Sequence, residues 1–159
     1  MKRILIFLMA ALLLFGVSAC GKKEVKDPGM EAIDGAIMKL MTSDGSQTVE
    51  LDADYVSTIV KISSDEYVEM NCRKAAASLS MDEWGIFKAK DEAARKNLET
   101  KLDAYLKARI ESWMPEYLPD QRPKIEKSEL YVAGNYVIYM ILSEEHKDAV
   151  KAELDPLFK

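Results

Sequence analysis

Reactive side chains are scarce in this sequence, which has two cysteines and one histidine. One histidine and one cysteine in the folded part do not make a zinc ligand set. A serine or cysteine nucleophile would have to find its base in His146, which lies beside Glu145 at a predicted helix start. We interpret His146 as an exposed surface residue. The sequence therefore predicts no catalytic residue, no metal site and no cofactor.

Glycine-rich loops and a surplus of positive charge are missing as well. The seven glycines are scattered, so none forms a phosphate-binding loop. The 22 basic residues are outnumbered by 27 acidic ones, and the formal charge is -5. Nucleic-acid binding depends on cationic side chains that neutralise phosphates, so we expect no nucleic-acid partner. Counting does not exclude one enzyme class, because two suitably placed carboxylates suffice for glycan cleavage.

The N-terminus has the three parts of a secretion signal. Two basic residues, Lys2 and Arg3, precede an unbroken apolar run over residues 4–15, and small residues follow over residues 16–19. The apolar run is shorter than the ~20 residues that a membrane-spanning helix needs, which favours a cleaved leader over an uncleaved anchor. We predict a lipoprotein signal peptide over residues 1–19.

The end of this leader indicates where the protein is attached. Val17-Ser18-Ala19-Cys20 resembles the lipobox of bacterial lipoproteins, in which the cysteine receives a diacylglycerol and becomes the mature N-terminus. Two acyl chains give stable anchoring, whereas one does not. We therefore predict lipid attachment at Cys20, a tether within residues 20–27, and location at the extracytoplasmic face of the cell membrane. Lipidation leaves only Cys72, so no intramolecular disulfide is expected.

The remaining residues, 28–159, have the length of one domain. Apolar periodicity predicts the order helix, two strands, long helix, two strands, helix. This order indicates an α+β fold, most simply a four-stranded, mainly antiparallel sheet packed with helices. Residues 49–69 are harder to interpret, and we expect short helical turns at 52–60 and 64–69. The main elements are expected at 28–41, 71–80, 83–90, 91–115, 130–133, 136–142 and 144–158.

Local signals define the second half of the chain most clearly. Asp91 is placed to cap the long helix, and Pro115 to stop it. Gly134-Asn135 separates two strand-like runs, with glycine at the first central position as a type II′ turn requires. The second run, 136–142, is apolar on both alternating faces, which is typical of a central strand covered by other elements.

The proline-rich connection after the long helix carries the candidate recognition residues. Trp113 and Tyr117 lie next to Pro115 and Pro119, where a rigid loop could present aromatic rings to a partner. The alternative is that these rings close the end of the core, since aromatic side chains contribute large apolar area there. Arg109 leaves two interpretations open as well: it binds an anion, or it lays its stem along the core edge with its charge in water.

Three segments resemble a known family. They are residues 82–91, which lead into the long charged helix, the Tyr117-Leu118-Pro119 loop, and Gly134-Asn135-Tyr136-Val137 before an apolar strand. Together they resemble domain-of-unknown-function family 4358, found in small lipoproteins of anaerobic Gram-positive bacteria. These motifs are turn and core features, so the resemblance implies a fold and a lipoprotein context but no activity and no functional residues.

Two hypotheses for function follow. The favoured one is a membrane-anchored, extracytoplasmic, non-enzymatic binding or accessory module that recognises a protein or an envelope component, through a sheet edge or the Trp113 to Tyr117 segment. The alternative is a small envelope hydrolase that uses paired carboxylates. A deep cleft with two converging acids and raised carboxyl pKa values would favour the hydrolase.

Replacing the predicted lipid-bearing residue tests the anchor. A Cys20→Ala substitution removes the acylated thiol, so the protein should move from the membrane fraction to the soluble fraction after cell fractionation. A Cys72→Ala variant is the matched control and should remain with the membrane. Persistent membrane association of the Cys20→Ala protein would show that the lipobox interpretation is wrong.

Overall fold

The computed structural model describes residues 25–114 and 116–159. The predictions for the signal peptide, for lipidation at Cys20 and for Pro115 as a helix stop lie outside these residues. The main elements are α1 Met30–Met41, β1 Thr48–Leu51, α2 Ala53–Tyr55, β2 Glu69–Ala75, β3 Glu83–Lys88, α3 Glu92–Glu111, α4 Arg122–Glu126, β4 Glu129–Ala133, β5 Tyr136–Ile141 and α5 Glu144–Leu154. A π-helical turn, Val56–Val60, continues α2, and 3-10 turns occupy Pro119–Gln121 and Asp155–Phe158.

The strands form one sheet in the order β1-β2-β3-β5-β4, and every neighbouring pair is antiparallel. The α+β class and the antiparallel sheet are confirmed, but the predicted count of four strands is wrong, because the sheet has five. The additional strand is β1, which pairs with β2 at the sheet edge. It has four residues, of which only Leu51 is buried, so its apolar pattern is too short to indicate a strand.

Several boundaries also differ from the predicted ones. Residues 64–68 are not helical, because this segment leads directly into β2. Helix α1 begins at Met30, two residues later than predicted, with Gly29 at its N-cap. The Asp27 carboxylate lies before the helix and accepts hydrogen bonds from the Gly29 amide (3.0 Å) and the Tyr136 hydroxyl (2.7 Å). Asp91 does cap α3, accepting from the Ala94 amide at 2.8 Å.

Strands β3 and β5 form the centre of the sheet and separate two apolar cores. Every residue of β5 is buried, which confirms its prediction as a central strand. One core lies between the sheet and α3, with the π-helical turn packed beside it. The other lies between the sheet and the pair α1 and α5. Alternate side chains of β5 enter the two cores, Tyr139 the first and Ile138 the second.

The Tyr139 ring lies directly over the backbone of Gly85. A Cβ atom at residue 85 would be 2.2 Å from Tyr139 Cε1 and 2.6 Å from Cys72 Sγ, so only glycine fits between these side chains. Tyr139 pairs with Gly85 in the β3–β5 register, and Cys72 pairs with it in the β2–β3 register. Burial, followed by the charge of Glu83, raises the pKa of the Cys72 thiol, which keeps it protonated.

The sheet has two distinct ends. Val25 packs against Gly134, and the Asp27 carboxylate lies 3.0 Å from the Lys88 ammonium. The first described residues therefore lie at the end of the sheet where β3 finishes, at Lys88. We call this the tether end. Helix α3 begins there and runs for 20 residues, about 30 Å, to the opposite end of the sheet. We call that the far end; Glu83, the first residue of β3, lies there.

A Gly85→Ala substitution tests the close packing at the sheet centre. The added methyl group clashes with the Tyr139 ring and the Cys72 sulfur, so we expect unfolding to become easier by about 1–3 kcal/mol. Chemical denaturation monitored by circular dichroism measures the change. Gly35→Ala is the matched control: residue 35 is exposed in α1 and has open space around it, so alanine should be neutral or slightly stabilising. Equal effects of the two substitutions would contradict this packing.

Candidate functional site

A buried carboxylate organises the far end of the sheet. Glu83 is 3% exposed and points toward α3. Its Oε1 atom accepts hydrogen bonds from the hydroxyls of Tyr105 and Tyr139, the latter at 3.0 Å. Its Oε2 atom lies 3.5 Å from Nη1 of Arg109, which also donates to the Tyr105 hydroxyl at 3.3 Å. We call these four residues the Glu83 cluster; they join β3, β5 and α3.

The electrostatics of the Glu83 cluster keep its tyrosines as hydrogen-bond donors. Burial, and then the negative charge of Glu83, raise the pKa of both Tyr105 and Tyr139. Burial alone would lower the pKa of Arg109, but the charge of Glu83 opposes this and the net direction is upward. The tyrosines thus stay protonated and Arg109 stays charged, so both hydroxyls donate to Glu83 and the guanidinium faces its negative charge.

A cavity of about 400 Å³ opens beside the Glu83 cluster at the far end. It lies against the loop that joins β2 to β3, and Glu83 and Arg109 form part of its wall. Two further residues add polar groups to it: Tyr55 from α2 and Lys74 from β2, whose ammonium lies 5.5 Å from the Tyr55 ring centroid. The cavity is therefore lined by both cationic groups, Lys74 and Arg109, and an anionic group, Glu83.

The two carboxylates that line this cavity, Asp82 and Glu83, are held by other residues. Glu83 and Asp82 are consecutive, and each is already engaged: Glu83 in its cluster, and Asp82 with Lys124 at 2.7 Å and with the Ser80 hydroxyl at 2.8 Å. Four carboxyl groups of the described chain have clearly displaced pKa values, and all four are lowered, those of Asp27, Asp44, Glu66 and Glu144. A catalytic acid at neutral pH requires the opposite direction.

The predicted recognition residues lie at the same end, just beyond α3. The rings of Trp113 and Tyr117 are in contact, with centroids 5.6 Å apart. Trp113 packs partly against the core beneath α3, whereas Tyr117 is 48% exposed. Both interpretations offered for these aromatics thus describe part of the structure: Trp113 closes the core, and Tyr117 faces solvent.

Exposed apolar side chains accompany Tyr117. Ile110 is 38% exposed and Met114 is 64% exposed, and with Tyr117 they form what we call the far-end patch. The next residue, Leu118, has a φ of 46°, a left-handed conformation that costs free energy for a residue with a branched side chain. Such strain occurs preferentially at functional surfaces, where the surrounding structure maintains it.

Two residues at the far end have surroundings that the sequence did not predict, Arg109 and His146. Arg109 does not keep its charge in water: its side chain is 22% exposed and faces Glu83. His146 was expected to be an exposed surface residue, and this is wrong, because it is half-buried and its Nδ1 atom is shielded from water. It lies in the first turn of α5, next to Lys147, which is buried and donates to the Lys127 carbonyl oxygen.

Two further properties bear on the kind of site. Within residues 25–114 and 116–159, no group of three or more histidine, cysteine, aspartate or glutamate side chains is arranged to hold a metal ion. The same residues include no helix with the length and apolar character needed to cross a bilayer.

The chain belongs to a family whose function has not been defined. Residues 41–142, more than half of the sequence, match the family described as Domain of unknown function (DUF4358). The match begins at the end of α1 and extends through β5, so it includes all five strands and the Glu83 cluster. No curated protein and no solved structure matches the chain.

Replacements of Glu83 test its role as the organising residue. Glu83→Leu leaves two buried hydroxyls and Arg109 without their acceptor, so we expect a loss of about 3–5 kcal/mol in the free energy of unfolding. Glu83→Gln retains one acceptor oxygen and should cost less, about 1–2 kcal/mol. Denaturant titration measures both. Asp103→Asn, which breaks an exposed ion pair on α3, is the control and should change little. A Glu83→Leu protein as stable as the parent would contradict the cluster.

Proposed function

We propose that this protein is a membrane-anchored extracytoplasmic lipoprotein that acts as a non-enzymatic binding module and presents its far end to a protein partner. The observation that carries the proposal is the position of the far-end patch. It lies at the C-terminal end of α3, whereas residue 25 lies near the N-terminal end of the same 20-residue helix. A lipid at Cys20 would therefore hold the tether end near the bilayer and leave the patch accessible.

The chemistry of the patch supports a protein as the partner. Met114 and Tyr117 provide exposed apolar area, and both side-chain types are enriched where proteins recognise one another. Acidic residues of the same segment, Glu111, Glu116 and Asp120, are exposed around it. Arg122 also lies beside Ile110, but it is paired with Glu126. An apolar centre with mainly acidic neighbours favours a partner that has basic residues around an apolar pocket, with association that weakens as salt is added.

Two observations favour binding over hydrolysis. Asp82 and Glu83 already contact other side chains, and the displaced carboxyl pKa values are lowered and not raised. Glu83 is 3% exposed, and its two oxygens already face two tyrosine hydroxyls and Arg109, so a substrate has little access to it. The hydrolase alternative has no corresponding observation in its favour.

Site-specific photocrosslinking in cells tests the proposal. A photoreactive amino acid at position 117 of the full lipidated chain should capture one defined protein, and the adduct should disappear with Cys20→Ala. Placed at position 68, where Val68 is 57% exposed near the tether end, the same probe should not capture that protein.

The captured protein is then used for affinity measurements. Met114→Ser should weaken its binding by about tenfold or more while leaving thermal stability unchanged, because an exposed residue at the centre of an interface contributes to affinity and not to the core. Val68→Ser is the matched control. Capture from position 68 but not from position 117, or unchanged affinity of Met114→Ser, would overturn the proposal.

A further inference from the structure

The cavity beside the Glu83 cluster has a surplus of positive charge in its wall. Its charged lining residues are Lys74, Asp82, Glu83 and Arg109. Asp82 is balanced by Lys124, whose ammonium lies 2.7 Å from its carboxylate. Glu83 faces Arg109, so these two charges balance as well. One positive charge therefore remains without a negative partner, on Lys74.

The Lys74 side chain is exposed and has no acid to pair with. Glu83 lies opposite Lys74 in the β2–β3 register, but the carboxylate of Glu83 is held by the tyrosines of its own cluster. Within the part of the chain that the structure describes, Lys74 forms no ion pair, and its ammonium lies 5.5 Å from the Tyr55 ring centroid. The ammonium is therefore available to an acid from outside the chain.

Arg109 has N–H groups beyond those that it uses in the Glu83 cluster. Its contacts with Glu83 and with the Tyr105 hydroxyl both involve one nitrogen atom, Nη1. A guanidinium carries five N–H groups on three nitrogens, in a planar arrangement that matches the two oxygens of a carboxylate. The Arg109 side chain is 22% exposed and lines the cavity, so a ligand can contact it in the structure as it stands.

Tyr55 adds a third donor to the same cavity. It is half-buried, and its hydroxyl lies close enough to Arg109 for a hydrogen bond to lower its pKa. Burial, and then the charge of Glu83, outweigh this and raise the pKa of Tyr55, so the hydroxyl stays protonated. An ammonium, a guanidinium and a phenol thus line one cavity, and each of them can donate to an anion.

The charge balance favours an anion with one negative charge. Only the charge of Lys74 is uncompensated, and Glu83 lies 3.5 Å from Arg109, so Glu83 repels a second negative charge brought to the guanidinium. The cavity volume of about 400 Å³ lies within the range of small-molecule sites. The end of β2 and the loop that follows supply apolar lining, from Ala75, Ala76, Ala77 and Met81.

We propose that this cavity binds a small monocarboxylate with a short apolar body. Arg109 supplies N–H groups for the carboxylate oxygens, Lys74 supplies the compensating charge, and Tyr55 donates a further hydrogen bond. The alanines of the β2–β3 loop contact the apolar body. This site is separate from the far-end patch and does not depend on the protein partner proposed above.

Nitrogen-15 labelling of arginine provides a direct readout at this site. The full-length lipidated protein in non-ionic detergent micelles is titrated with butyrate. An Arg109→Lys variant, which keeps a cation facing Glu83, assigns the Arg109 Nε–H signal by its loss. Butyramide is the neutral match of butyrate, and succinate is a doubly charged match of the same length. We expect butyrate to shift the Arg109 signal in a saturable manner, succinate to bind more weakly, and butyramide to leave the signal in place.

A second variant separates binding from folding. Lys74→Gln should weaken butyrate binding by about tenfold, because it removes the uncompensated charge, and should leave the denaturation midpoint nearly unchanged, since Lys74 is exposed. Lys90→Gln is the matched control: Lys90 is equally exposed but follows β3 at the tether end, so its replacement should change neither quantity.

Four results would overturn the proposal. They are an Arg109 signal that does not move with butyrate, equal responses to butyrate and butyramide, tighter binding of succinate than of butyrate, and equal butyrate affinities of the Lys74→Gln and Lys90→Gln proteins.

Discussion

The contact between the Tyr139 ring and the Gly85 backbone is the constraint on which this fold depends. It brings a large side chain of β5 across β3 at the centre of the sheet, where no Cβ atom fits. The Tyr139 hydroxyl then reaches Glu83, and its ring meets the Tyr105 ring of α3 edge-on at 5.5 Å. Through these contacts, Tyr139 and Glu83 connect the centre of the sheet to α3, the longest helix.

This link also accounts for the charges buried at the far end. Glu83 would be costly to bury alone, but two tyrosine donors and Arg109 surround it. Because these partners come from β5 and α3, the Glu83 cluster joins three elements at the far end, and the loop between β2 and β3 lies beside it. The cavity beside the Glu83 cluster and the far-end patch lie at this end, while the described chain enters at the other.

The sequence predicted those elements that depend on residues close together in the chain. The Asp91 cap, the Gly134-Asn135 turn and the doubly apolar run of β5 each depend on neighbouring residues, and the structure has all three. Glycine 134 has a φ of 54°, as the first position of the predicted turn requires. The family resemblance was confirmed for the domain, which is matched over residues 41–142.

Long-range contacts explain what the sequence could not reveal. Strand β1 exists because it pairs with β2, and four residues with one buried side chain carry no pattern of their own. The neighbours of Glu83 in the sequence do not indicate its burial, because Tyr105 and Arg109, which contact it, are more than 20 positions away. The partial burial of His146 likewise goes with a long-range contact, the packing of α1 against α5. The only signal that could have indicated the site was Arg109 near the apolar stripe of α3.

The central claim is that the protein stands with its far end away from the membrane, and energy transfer to a lipid dye tests it most directly. The thiol of Cys72 is buried and protonated, so a cysteine introduced at position 114 or 26 can be labelled selectively. On vesicles carrying the lipidated protein, a fluorophore at position 26 should transfer energy to a headgroup acceptor strongly, and one at position 114 weakly. Equal transfer from both positions, or stronger transfer from position 114, would contradict this orientation.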